Sequence, residues 1–79
     1  MREMEFKMER PGLLKEGETL PVTEYRVSTF YYYMLGKSYA MSANYTVTER
    51  LKSREGVVAS IEETPRGYYV KMRFDEDPV

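Results

Sequence analysis

The sequence predicts a small, mainly β domain, and three stretches carry that expectation. Residues 39–51 alternate: Tyr39, Met41, Ala43, Tyr45, Val47 and Leu51 occupy odd positions, and Ala40, Ser42, Asn44, Thr46, Thr48 and Arg50 the even ones. Residues 67–75 alternate again, with Tyr68, Val70, Met72 and Phe74 on one side and Tyr69, Lys71 and Arg73 on the other. Between them lies the β-branched run Gly56-Val57-Val58-Ala59-Ser60-Ile61. A period of two places successive side chains on opposite faces, which is the mark of a half-buried strand.

The elements follow in chain order. Met4, Phe6 and Met8 alternate with Glu3, Glu5, Lys7 and Glu9, so a short strand is expected near 3–9, stopped by Arg10-Pro11-Gly12. Residues 12–20 read as a loop with Leu13 and Leu14 tucked beneath it. Residues 23–35 admit two readings. Val27, Phe30, Tyr31, Met34 and Leu35 have helical spacing, with Thr23 as N-cap and Gly36 as C′ glycine. Thr29-Phe30-Tyr31-Tyr32-Tyr33 instead favours a strand. That strand would turn at Gly36-Lys37 and pair Met34 with Tyr39, Tyr32 with Met41 and Phe30 with Ala43. Strands are then expected near 39–51, 56–63 and 67–75, the last two joined by the turn Thr64-Pro65-Arg66-Gly67. Short connections make an antiparallel meander of these three. Tyr45, Val47, Val57, Ile61, Val70, Met72 and Phe74 are expected in the core. If 23–35 is a strand, five strands curl into an SH3-like half-barrel; if it is a helix, the fold is α+β with one helix on the sheet.

At 79 residues the chain is expected to form a single domain, 1–79, with 76–79 as a flexible acidic tail. The net charge of −1 is unevenly spread. Residues 50–74 hold six basic groups against three acidic, and Asp75-Glu76-Asp77 follow. Residues 27–36, an uncharged stretch, are too few and too polar to span a bilayer. Met1-Arg2-Glu3-Met4-Glu5 has no apolar signal-peptide core. The expected location is therefore the cytoplasm, away from membranes.

The composition leaves little room for chemistry. There is no cysteine and no histidine, which removes thiolate zinc sites, cysteine nucleophiles and the commonest general base. Glu62 and Glu63 are adjacent, so on a strand they point apart. Asp75, Glu76 and Asp77 offer oxygens for calcium without a loop to enclose it. Gly36-Lys37-Ser38 ends like a phosphate-binding loop, but Tyr31 stands where that loop needs its first glycine. No catalytic residue, cofactor or metal is expected, and the chain is read as non-enzymatic.

Arg66-Gly67-Tyr68 resembles the start of the RNA-binding strand of the RRM family, and departs from it at Tyr69 and Val70. Residues 54–61 are similar to the glycine-led strand of KOW-type SH3-like domains. Both likenesses are only a few residues long and imply no family membership. Two binding surfaces are expected instead. Of eight tyrosines, Tyr31, Tyr32 and Tyr33 are consecutive, so on either a strand or a helix they cannot all face one core. They are candidate interface residues for a protein partner or a second copy. The alternative is weak single-stranded nucleic-acid binding through Arg54, Tyr69, Lys71 and Arg73.

Overall fold

In the computed structural model, which describes residues 1–79, six strands are joined by three tight turns and two longer loops, residues 9–18 and 43–54. They are β1 (Arg2–Met8), β2 (Thr19–Val27), β3 (Phe30–Leu35), β4 (Ala40–Ser42), β5 (Glu55–Thr64) and β6 (Gly67–Phe74). Every pairing is antiparallel, in the spatial order β1-β4-β3-β2-β5-β6, and β6 returns to β1 to close a barrel. The architecture is consistent with a small SH3-like β domain.

The helical alternative for 23–35 does not hold. That segment is the end of β2 and all of β3, joined at Ser28-Thr29, so there are six strands rather than five. The residues with helical spacing divide between two faces. Leu35 is buried and Tyr31 packs on the core, whereas Val27 and Phe30 face solvent.

The core follows from the alternation. β1 contributes Met4, Phe6 and Met8, and β6 contributes Val70, Met72 and Phe74. The Phe6 and Phe74 rings meet at 6.3 Å. Tyr33, Leu35 and Val58 complete the barrel interior, and Leu14, Leu20 and Leu51 come from its flanks. Val70 has no exposed surface. Val70→Ala is expected to lower stability by about 2 kcal/mol through lost burial and a residual cavity. A denaturant titration reads this directly, and a loss below about 0.3 kcal/mol contradicts the packing.

Several expectations need correction. The strand anticipated over 39–51 shrinks to three residues, and β4 pairs with β1 and β3, not with β5. Within the expected three-stranded meander, only β5 and β6 are neighbours. After Ser42 the chain bridges back through Tyr45 to Tyr31, then makes a 3₁₀ turn at Val47–Glu49. That turn is set by Thr46 and Glu49, which close a capping box. It leaves Val47 64% exposed rather than buried. Val57 is 39% exposed, because Val58 takes the inward position and Val57 stands opposite Arg73 on the outer face. Tyr45 and Ile61 are only partly buried against the core. A bulge between Val58 and Ser60 changes the parity of β5, which brings Ile61 opposite Val70.

The hairpin of β3 and β4 forms, with its register moved by two residues. Met34 pairs with Met41 and Leu35 with Ala40, across a four-residue loop. A two-residue shift keeps every side chain on its face, so alternation alone cannot choose between the two registers. The turn chooses: Gly36 has φ of 53°, and the Tyr39 ring lies 2.8 Å from where a Cβ would stand.

Candidate functional site

Alternation in β3 sorts the tyrosine triplet. Tyr33 points inward and is buried. Its hydroxyl donates to Glu24 Oε2 at 2.9 Å and accepts the Leu51 N–H at 2.8 Å. Burial is the main reason its hydroxyl is pushed up to about 12, and the neighbouring Glu24 carboxylate adds to it. Tyr31 also faces the core side, with the Arg50 guanidinium 4.6 Å from its ring centre. Tyr32 alone points outward. Of the three candidate interface tyrosines, Tyr33 is therefore committed to the core and Tyr31 to Arg50.

Tyr32 does not stand alone. Its ring stacks on Tyr25 of β2, 5.2 Å between centres and 14° from parallel. Val27 pairs with Phe30 beside them, and Met34 with Met41 on the other side. Tyr25, Val27, Phe30 and Met41 are each between 41% and 51% exposed. The outer face of β2, β3 and β4 is thus an apolar ladder. Sequence reasoning placed Phe30, Tyr32, Met34 and Met41 in one row correctly but gave no reason for it to face outward. The signal lay in the opposite row: Ala40 and Ser42 are small, and they face inward opposite Met8 and Phe6. Large inward residues on one strand leave room only for small ones at the paired positions of its neighbour.

The alternative basic surface is assembled only in part. Tyr69, Lys71 and Arg73 do share the outer face of β6. Their neighbours on β1 are Lys7, Glu5 and Glu3, and Arg73 Nη2 contacts Glu3 Oε2 at 3.2 Å. On the other side Glu62 stands opposite Tyr69. Arg54 lies elsewhere, in the loop before β5, where its carbonyl accepts the Val22 N–H at 2.8 Å. The expected basic face is a chequerboard of both signs.

One groove opens at an end of the barrel, between β2, the loop 47–54 and the C-terminal residues. Its polar groups hold each other. Arg50 donates to Glu24 through Nε at 2.9 Å and Nη2 at 2.7 Å. That pairing lowers the Glu24 carboxyl, burial opposes it, and the Tyr33 hydrogen bond lowers it further. Glu76, the first residue of the expected tail, accepts the Ser53 N–H and hydroxyl, both at 2.7 Å, and the Lys52 N–H at 3.0 Å. It also meets Arg2 Nη1 at 3.4 Å. Every buried side-chain nitrogen and oxygen has a partner. Glu24 stays ionised and Tyr33 stays protonated near neutral pH, so neither is poised to exchange a proton. Nowhere do three acidic side chains converge as a metal site requires. No helix is long and apolar enough to cross a membrane.

In comparison with known proteins, the chain matches no family model, no curated protein and no solved structure.

Proposed function

We propose that this protein is a small, non-enzymatic interaction or self-association module that works through the β2–β3 hairpin and adjoining β4. The observation that carries this reading is the outward apolar ladder of Tyr25, Val27, Phe30, Tyr32, Met34 and Met41. Isolated exposed apolar residues are ordinary, but a contiguous patch on a small domain marks a contact surface. Aromatic residues and methionine are the types enriched in such surfaces. None of these six side chains is needed to fill the barrel.

Tyr32→Ser combined with Met41→Ser is expected to weaken association about tenfold or more, since each removes apolar area from the contact. The folded monomer should survive, because both residues face outward. Sedimentation measures the association, and thermal unfolding checks the fold. Unchanged association places the contact elsewhere.

The nucleic-acid reading is not favoured. Affinity for phosphates comes from uncompensated cations and falls steeply with salt. Here Glu3 and Glu5 stand beside Arg73 and Lys71. Labelled single-stranded RNA and DNA are expected to show no micromolar complex in fluorescence anisotropy at low salt. A complex abolished by replacing Lys71 and Arg73 with Glu contradicts this.

A further inference from the structure

The barrel closes incompletely between β2 and β5. Only Thr19, Leu20 and Pro21 of β2 pair with β5, and the Val22 N–H then reaches the Arg54 carbonyl. Beyond that point residues 23–27 pair with β3 alone. The Gly36 N–H donates to the Pro21 carbonyl, so the odd residues of β2 direct their backbone groups toward β3. The even residues direct theirs the other way, and Glu24 and Arg26 present N–H and C=O on an open edge. An unpaired edge is a template for another strand.

We propose that this edge pairs with the same edge of a second copy, antiparallel, with Glu24 opposite Arg26 of the partner. This rests on the self-association reading above and names its geometry. Charge selects both the occupant and the register. A symmetric antiparallel pair of β2 edges has three registers near its centre. Two of them set Glu24 against Glu24, each still held by its own Arg50, or Arg26 against Arg26. Like charges directly opposite are destabilising, most of all for Arg26, which has no ion-pair partner in its own chain. The third sets Glu24 against Arg26 twice and forms about four new backbone hydrogen bonds. In that register Tyr25 meets Tyr25 of the partner at a closely spaced position on the outer face. The stacked pair Tyr25–Tyr32 becomes a row of four rings across the two copies. Thr23 then stands opposite Val27. A second open edge, β5 beyond Val58, is protected against such pairing by its bulge and by Glu62 and Glu63.

The chain contains no cysteine, so single cysteines report the register. The probes are Tyr25→Cys, Thr23→Cys and Val27→Cys, with Glu16→Cys in an exposed loop to give the collision rate. Under mild oxidation Tyr25→Cys should crosslink to itself about tenfold or more faster than Glu16→Cys, because pairing raises the local thiol concentration. Thr23→Cys and Val27→Cys should stay near the collision rate alone and crosslink rapidly when mixed. Arg26→Glu should weaken the wild-type dimer about tenfold in sedimentation from about 1 µM to about 1 mM, by placing Glu against Glu. If a dimer forms, is lost with Tyr32→Ser and Met41→Ser, and shows none of these crosslinks, the edge pairing is overturned while the hairpin reading stands. A strict monomer throughout the range overturns the pairing and leaves the hairpin to a different protein.

Discussion

Glu76→Ala is expected to lower stability by about 3 kcal/mol, although a residue so near the C-terminus reads as part of a loose tail. The Arg2 and Glu76 side chains are only 4% and 11% exposed. Arg2 is the first inward residue of β1, and its guanidinium also donates to the Glu49 carbonyl and lies 5.6 Å from the centre of the Tyr45 ring. Removing Glu76 strands that cation in the barrel end and leaves the Lys52 and Ser53 N–H groups without their acceptor. An uncompensated buried charge is far worse than an absent ion pair. For a domain of this size the loss corresponds to a fall in melting temperature of roughly 15 °C. Glu76→Gln, which keeps an acceptor and loses the charge, should fall between wild type and Glu76→Ala. A change under about 0.5 kcal/mol would show the clamp to be ordinary surface.

The same clamp has a pH signature. Burial raises the Glu76 carboxyl, but hydrogen bonds from Ser53, Lys52 and Arg2 outweigh it, and the net shift is below the ordinary 4.5. The folded state therefore holds the proton less tightly than the unfolded chain. That contribution is fully present above the ordinary value and is lost as pH falls through it toward the lower folded value. Glu24, lowered chiefly by Arg50, adds in the same direction. Wild type should lose stability below about pH 5, and Glu76→Ala should lose less over that interval. Parallel curves from denaturant titrations at several pH values would contradict the assignment.

Gly56→Ala is expected to cost about 3 kcal/mol, a large effect for one methyl group. A Cβ at this position would lie 2.6 Å from Phe74 Cε1 and 2.9 Å from the Arg73 carbonyl oxygen. Phe74 has no exposed surface and is locked against Phe6, so its ring cannot swing aside. The Arg73 oxygen belongs to the paired strand and cannot move without breaking β5 from β6. The backbone entropy gained by replacing glycine is below about 1 kcal/mol and does not offset the overlap. Phe74→Leu should partly rescue Gly56→Ala, giving a coupling of about 1 kcal/mol or more in a double-mutant cycle. Strict additivity would mean that the two side chains do not meet. This glycine, read in sequence only as the start of a β-branched run, is there to admit a ring.

The alternation of Met4, Phe6 and Met8, and of Val70, Met72 and Phe74, settled by itself that β1 and β6 exist and which way they face. Bulk and polarity agree there, and one row is charged. The chain alone also favoured a mainly β class, with residues 23–35 leaving an α+β alternative open, and required the three consecutive tyrosines to divide between faces on either a strand or a helix. Tertiary structure decided the rest wherever both rows are partly apolar. Residues 40–42 face opposite to expectation because Ala40 and Ser42 fit against Met8 and Phe6, and smallness is invisible to a hydrophobicity count. The register of β3 against β4 was decided by the Gly36–Tyr39 turn, since registers two apart are equivalent by pattern. The clamp of Arg2 and Glu76 joins residues from opposite ends of the chain, and a local period carries no information about that distance. The open β2 edge is likewise a product of barrel closure, which depends on where β5 begins and not on any residue of β2.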